Sequence, residues 1–341
     1  MENTFKINNT QFNTPKLPPE EIIIKSHPST YKVYFKKFIN KFSKDDVVLV
    51  DSNVKKLYDI NHTKLIEIEA NEFNKSIETV LNICNKLLEF NFTKKNRLVV
   101  IGGGITQDLG AFTSKIYKRG IDWVFYPTTL LSQCDSCIGG KTALNYKSYK
   151  NQLALFSSPK EVVIDTRFLD TLQVEDITSG YGEIIKLFLI GGDYYIENLD
   201  KWNIEEKIKH SLLVKKAVIE YDEFEVCERK SLNYGHSFGH VIEPLTDYKI
   251  SHGEAVMLGI EIINKLFDNN PKISSIVSKF TALGKISNLD TSALTMNLLS
   301  DKKVSGNSIS FVRVPEPGIT VFTDTKVNDD LKSKVNELLV S

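Results

Sequence analysis

The chain has 341 residues, enough for two domains with ample cores, and its 41% apolar and 25% charged content is ordinary for a globular protein. Lys plus Arg number 43 and so do Asp plus Glu, so no cationic excess points to nucleic acid and no acidic tail is visible. The polar first 20 residues lack the apolar core of a signal peptide, no run approaches a membrane-spanning length, and four cysteines make no disulfide scaffold; the expected setting is the reducing cytosol, with no nucleic-acid or membrane partner.

Residues 1 to about 20 read as an irregular arm. Residues 21–35 alternate (Ile22, Ile24; Tyr31, Val33, Phe35), which predicts two strands around Ser26-His27-Pro28. Asp46 to Asp51 is a short apolar run closed by an acid, the pattern of a buried parallel strand whose C-terminal end faces a ligand. Residues 65–69 suit a further strand, and residues 74–90 carry helical spacing (Ile77, Val80, Leu81, Cys84, Leu87, Leu88). Residues 97–101 form another apolar run that leads into Gly102-Gly103-Gly104 and a helix predicted over 108–118. Strands follow at 122–127 and 162–165. About five strands alternating with helices predict a doubly wound parallel sheet. After Thr166 apolar-periodic segments dominate, at 178–190, 204–220, 239–244, 252–267, 273–283 and 293–299, so the second half reads as mainly helical, with a late hairpin at 310–315 and 318–322.

Three places carry chemical signals. A strand, glycines and then a helix bring backbone N–H groups to a helix N-terminus, where a phosphate can sit; the spacing is not G-x-G-x-x-G, and a plain tight turn fits equally well. Thr128 and Thr129 offer hydroxyls at the end of the next strand. Gly139-Gly140-Lys141-Thr142 resembles the end of a phosphate loop, but the first glycine of that motif would fall on Asp135, which excludes a nucleotide triphosphatase of that type. Cys134 and Cys137 form a C-x-x-C with no second pair or histidine nearby and read as small buried residues. The densest signal lies at 232–254, where His236, His240 and His252 account for half of the six histidines. His236 and His240 are four apart and share a helical face, so spacing alone makes them a metal pair; the bland reading is surface and capping histidines.

Taken together these residues resemble 3-dehydroquinate synthase and its sugar-phosphate cyclase relatives. The resemblance runs from about Asp51 to about Val312. It is carried by Gly102 to Asp108, Tyr117 to Gly120, Pro127 to Leu131, Asp135 through Lys141-Thr142, Lys150-Asn151, Gly182 to Lys186 and the Asn233 to His252 block. It implies a Rossmann-like α/β NAD-binding domain at 1–168, a mainly helical metal- and substrate-binding domain at 169–341, an active site in the cleft between them, and a homodimer. It replaces the spacing-based metal pair with Glu183, His236 and His252 as ligands to Zn2+ or Co2+, and turns His240 towards substrate. One carboxylate and two imidazoles suit a catalytic site that keeps room for substrate oxygens.

The implied substrate is 3-deoxy-arabino-heptulosonate 7-phosphate, a sugar acid phosphate whose two anionic ends need cations gathered locally. By resemblance, Lys186 lies beside the metal-bound hydroxyls and Asp135 contacts a sugar hydroxyl. Lys141, Lys150, Asn151, Asn233 and His240 hold the phosphate, joined by Arg119, which the neighbouring subunit can supply. Lys215 and Arg229 take the carboxylate, and Lys302 or Lys303 aligns with a further family cation. Gly103, Gly104, Asp108, Thr128 and Thr129 hold the pyrophosphate and nicotinamide side of NAD, and Asp51, Glu72 and Lys75 its adenosine side. The implied reaction oxidises C5 with NAD, eliminates phosphate, returns the hydride and closes the ring by an aldol step. Three positions depart from the commonest family forms: Gln107, where a small residue is usual and a bulky amide alters the approach to NAD, Gly182 and Ala143. Related cyclases take other heptulose, hexose or aminated substrates, and some replace Asn233 or His240; this chain keeps both. Metal-dependent polyol dehydrogenases share the fold, but usually have Asp as first ligand and a Gly-Thr-Gly-Ser-type loop where Leu130-Leu131-Ser132-Gln133 stands here.

Overall fold

The computed structural model describes residues 2–27, 29–147, 149–298, 304–305 and 308–340. They divide into two compact units, Pro19–Gln173 and a discontinuous one made of Met1–Pro18 with Val174–Ser341.

The first unit is built on a seven-stranded sheet. Its spatial order is Glu21–Ile24, Tyr31–Phe35, Glu161–Ile164, Trp123–Pro127, Arg97–Gly102, Asp46–Asp51, Leu65–Ile68. All neighbours are parallel except the first pair. The central strands bury both faces, which is why Val47 to Val50 and Leu98 to Ile101 are unbroken apolar runs rather than alternating ones. The helix Ile77–Glu89 starts at Ser76, whose hydroxyl accepts from Thr79 N at 3.3 Å, and buries Val80, Ile83 and Leu87. Strand order reverses between Asp46–Asp51 and Arg97–Gly102, and at such a switch point the carboxyl ends of the strands open a ligand crevice. Asp51 and the glycine turn lie at those two ends. The sequence pattern missed the hairpin Lys141–Tyr146 and Tyr149–Phe156, whose positions are mostly half-buried or exposed and whose apolar residues do not alternate along the second strand.

The second unit is organised on the helices Val174–Gly191 and His252–Ile263. Each is buried on nearly every side over its C-terminal half, the signature of a central helix. Ile204–Tyr221 packs on the first of these; it begins with a reciprocal cap, Asn203 Oδ1 accepting from Glu206 N at 3.0 Å and Glu206 Oε2 from Asn203 N at 2.9 Å. Two glycines bring the central pair together. A methyl group at Gly182 would collide with the Gly253 carbonyl, and one at Gly253 with the Ser179 carbonyl, so the two backbones touch where only glycine fits. The helix His236–Leu245 follows Gly235, whose φ of 79° is left-handed.

The expected irregular N-terminal arm is instead an antiparallel hairpin, Glu2–Ile7 with Thr10–Pro15. Its first strand pairs in parallel with Ile319–Lys326 and completes a five-stranded sheet with Ser308–Glu316 and Val304–Ser305. Alternating burial of Phe5, Ile7, Phe12 and Thr14 drives this, and polar residues at the other positions hid it. The first 18 residues therefore belong with the C-terminal half, not with 19–168, and the boundary falls after Gln173 because residues 166–171 are a turn of the first unit. The late hairpin is present. The glycine-turn helix begins at Gly104 rather than 108, and Asp329–Val340 adds a helix that the periodicity did not signal. Leu299, the end of the last expected helical segment, lies outside the described residues.

Candidate active site

The second unit assembles Glu183, His236 and His252 from three helices. Glu183 follows Gly182, and His252 precedes Gly253, so the close backbone crossing itself sets the two side chains face to face. Glu183 Oε1 lies 3.2 Å from His252 Nε2 and 3.4 Å from His236 Nε2. One donor atom from each residue falls within 4.8 Å of the others, a donor set that fits a divalent ion. Glu183 Oε2 is ion-paired with Lys186, one helical turn on, and both side chains are 2% exposed. Burial alone would raise the Glu183 carboxyl; Lys186 and the two imidazoles outweigh it and hold the carboxyl well below the ordinary carboxylate range. Burial pushes His236 down. His252 sits between two carboxylates, whose hydrogen bonds overcome burial and push its ring up to about 10.

The spacing-based pair of His236 and His240 is not upheld. The two rings lie 5.2 Å apart, yet among the described residues no group of potential ligands contains both; His240 is exposed and groups instead with Glu243 and His252. Sequence reading missed Glu243 altogether. Its Oε2 lies 3.0 Å from His252 Nδ1. It is three residues after His240 on the same helix, a carboxylate at helical spacing that signals a place in this cluster once the histidines are singled out.

Asn233 donates to Glu225 Oε1 at 2.6 Å. Lys215 and Arg229 are 7% and 2% exposed. Lysines and arginines are almost never buried without charged or polar partners, so the surface-lysine reading fails for Lys186, Lys215 and Arg229. Arg229 is presented by a loop wound on Asp222, whose carboxylate accepts from the backbone N–H groups of Val226, Cys227 and Arg229 at 2.8–3.0 Å; the Arg229 guanidinium also meets the Glu223 carbonyl. Burial opposes ionisation of Asp222, but the three donors win and hold its carboxyl below the ordinary range.

The first unit gathers the residues assigned to cofactor and phosphate. Gly103 precedes the helix Gly104–Ile116 with no side-chain cap, so the first-turn N–H groups face outward, and a methyl group at Gly104 would meet nothing within 4 Å. That open helix end fits a pyrophosphate. Thr128 N bonds Gly102 O at 3.0 Å, which sets Thr128 and Thr129 beside the glycine turn. Asp51 caps its own helix through Asn53 N at 2.8 Å, and burial raises its carboxyl.

Lys75 is the hub of the adjoining network, 2.7 Å from Asp108 Oδ2 and 2.8 Å from Asn151 Oδ1. Burial lifts the Asp108 carboxyl despite the Lys75 ammonium. Glu72 accepts from Asn145 at 2.8 Å and faces Lys150 at 3.5 Å. Glu72 and Lys75, expected at the adenosine side, and Lys150 and Asn151, expected at the phosphate, are thus one connected group. Lys141 opens the hairpin and is exposed.

Asp135 sits in a π-helical turn, Ser132–Ser136, a local irregularity frequent at functional sites. Gln107 explains its own presence there: its Nε2 donates to Ser136 O at 2.7 Å and its Oε1 accepts from Ser136 Oγ at 2.6 Å, tying the glycine-turn helix to the turn that carries Asp135. Arg119 stands apart, past the far end of that helix and about 20 Å from the glycine turn at 1.5 Å per residue. Lys118 and Arg119 both have positive φ, a strained backbone of the kind kept where it serves a function. Lys302 and Lys303 lie outside the described residues. Cys134 and Cys137 are buried, as expected.

Comparison with known proteins places this arrangement. The 3-dehydroquinate synthase N-terminal family matches residues 65–179 and the 3-dehydroquinate synthase C-terminal family residues 180–304. The 3-dehydroquinate synthase of Pelagibacter ubique is 34% identical, over 88% of this chain and 94% of that protein. The chain belongs to the 3-dehydroquinate synthase family. A crystal structure of 2-deoxy-scyllo-inosose synthase complexed with carbaglucose-6-phosphate, NAD+ and Co2+ superposes with a TM-score of 0.81 at 21% identity, over 93% of this chain and 99% of that one. The 2-epi-5-epi-valiolone synthase of Streptomyces hygroscopicus subsp. jinggangensis, with NAD+ and Zn2+ bound, gives 0.78 at 19% identity, over 92% and 98%. The fold is that of the sugar-phosphate cyclases.

Proposed function

We propose that this chain is a 3-dehydroquinate synthase, a phosphate-eliminating cyclase that converts 3-deoxy-arabino-heptulosonate 7-phosphate to 3-dehydroquinate. The observation that carries the reading is the set of Glu183, His236 and His252, the first two buried and the third half-buried, with Lys186 on the outer carboxylate oxygen, in a chain of this family.

Glu183, His236 and His252 would hold Zn2+ or Co2+, and Gly103, Gly104, Asp108, Thr128, Thr129, Asp51, Glu72 and Lys75 would hold NAD. When bound, the ion supplies Lewis acidity to substrate oxygens and NAD a hydride acceptor that is restored within each turnover. The chain's own residues bind and orient. Lys215 and Arg229 present buried cations to the substrate carboxylate, where charge-assisted bonds are strong. Lys141, Lys150, Asn151, Asn233 and His240 hold the phosphate, with Lys302 or Lys303 as a further cation. Lys186 stays beside the ligand carboxylate, and Asp135 takes a sugar hydroxyl. Together they restrict the substrate to one geometry for cyclisation. Arg119 joins from a second subunit of a homodimer; its distance along the helix from the glycine turn supports that assignment. The setting is the cytosol, and among the described residues no helix is long and apolar enough to cross a membrane.

The test is turnover of the heptulosonate phosphate with catalytic NAD and zinc, following phosphate release and product mass. Many turnovers to dehydroquinate without net NADH are expected. Phosphate release only from sedoheptulose 7-phosphate or glucose 6-phosphate would reassign the substrate, and net NADH from simple polyols would overturn the cyclase reading.

A further inference from the structure

His236 and His252 are equivalent by residue type but are backed by different groups. His236 Nδ1 faces the Tyr234 backbone carbonyl at 3.1 Å, a neutral acceptor. His252 Nδ1 faces Glu243 Oε2 at 3.0 Å, a carboxylate whose residue is 8% exposed. An ionised carboxylate only accepts, and a neutral imidazole has one N–H and one lone pair. A proton held on Nδ1 by Glu243 leaves the lone pair on Nε2, the nitrogen that faces Glu183.

We propose that Glu243 is a positioning residue for the metal centre: it fixes the tautomer and ring plane of His252 and makes that imidazole a stronger donor than His236. The proposal rests on the reading of Glu183, His236 and His252 as the ligand set. The geometry offers a rival role, since His240, Glu243 and His252 also bring donor atoms within 4.8 Å. That group needs His252 through Nδ1 and uses the exposed His240. The first group uses Nε2 and lies around Glu183, which is 1% exposed. Glu243 therefore acts through His252.

The experiment strips the full chain of metal and titrates it with Zn2+ against a chromophoric chelator, and with Co2+ by visible absorption. Glu243→Ala is expected to weaken zinc binding by about 10–100-fold, the usual cost of losing such a partner, while one ion per chain and the coordination spectrum of the saturated cobalt protein are retained. Glu243→Gln, whose amide oxygen still accepts from Nδ1, should lose less. Affinity of Glu243→Ala unchanged within about two-fold would overturn the proposal, since a partner of this kind is worth far more. So would a changed cobalt coordination spectrum at saturation, or the loss of a second ion, either of which makes Glu243 a ligand. Glu183→Ala separates the two levels. Tight binding by that variant overturns the ligand set itself, whereas its loss beside an unaffected Glu243→Ala overturns the positioning role alone.

Discussion

The two units handle charge in opposite ways. In the helical unit the charges proposed for the site are buried: Glu183, Lys186, Lys215 and Arg229 are all under 9% exposed and held by packed helices or by a loop wound on Asp222. In the sheet unit Lys141, Lys150, Glu72 and Asn151 sit on a hairpin and a loop, half or fully exposed; Lys150 faces Glu72, and Glu72 and Asn151 both meet Asn145. Buried charges are fixed in place and serve stability and chemistry together. Exposed ones are adaptable, contribute little to folding and are free to change partners when a ligand arrives.

The sharpest break of that comparison is Lys186→Ala. It strips the ammonium from a buried carboxylate, so it should lower activity by at least ~10³-fold and also destabilise the unit by about 3–5 kcal/mol, read by turnover and by thermal melting. Gly253→Ala comes next. A methyl group forced against the Ser179 carbonyl should cost about 1–3 kcal/mol and weaken zinc binding by moving His252 from Glu183, whereas Gly104→Ala in the sheet unit, with open space around it, should leave melting nearly unchanged.

Asp222 supplies a pH test. Its folded pKa lies below the ordinary 3.8, so its stabilisation is fully present above about pH 4 and is lost as pH falls through the folded value. Asp222→Asn should therefore melt lower than the parent at pH 7, by about 1.5–3 kcal/mol, with the gap closing in strong acid. Lys150→Ala should have the smallest structural effect: melting changed by less than about 1 kcal/mol, but KM for the phosphate substrate raised. Equal loss of stability in Lys150→Ala and Lys186→Ala would erase the distinction between the units.

The sheet was legible because burial on both faces leaves short unbroken apolar runs, and the central helices because their apolar segments run longer than a strand. The N-terminal hairpin was not, since two short strands with three large apolar residues between them carry a weak apolar signal and the partner of the first lies about 300 residues away. Histidine density marked the region where potential ligands gather, but helical spacing paired His236 with His240, which the geometry does not group together. Glu183 stands 53 residues before His236, and nothing local to the histidines points to it; only the motif resemblance did. Glu243 escaped both readings because attention stayed on the histidines; its spacing from His240 places it on their helix, but its contact with His252 is made by the turn at residues 246–251.

The pairing of Glu2–Ile7 with Ile319–Lys326 imposes an order on biosynthesis. The hairpin leaves the ribosome well before its partner strand. At ~5–20 residues per second, about 300 intervening residues take roughly 15–60 s to make. During that time the sheet unit, continuous from Pro19 to Gln173, can close around its own core, while the hairpin waits with an unpaired edge. The edge of that hairpin is therefore open to aggregation while the chain is made, and chaperone contact there protects a strand whose mate has not yet been translated.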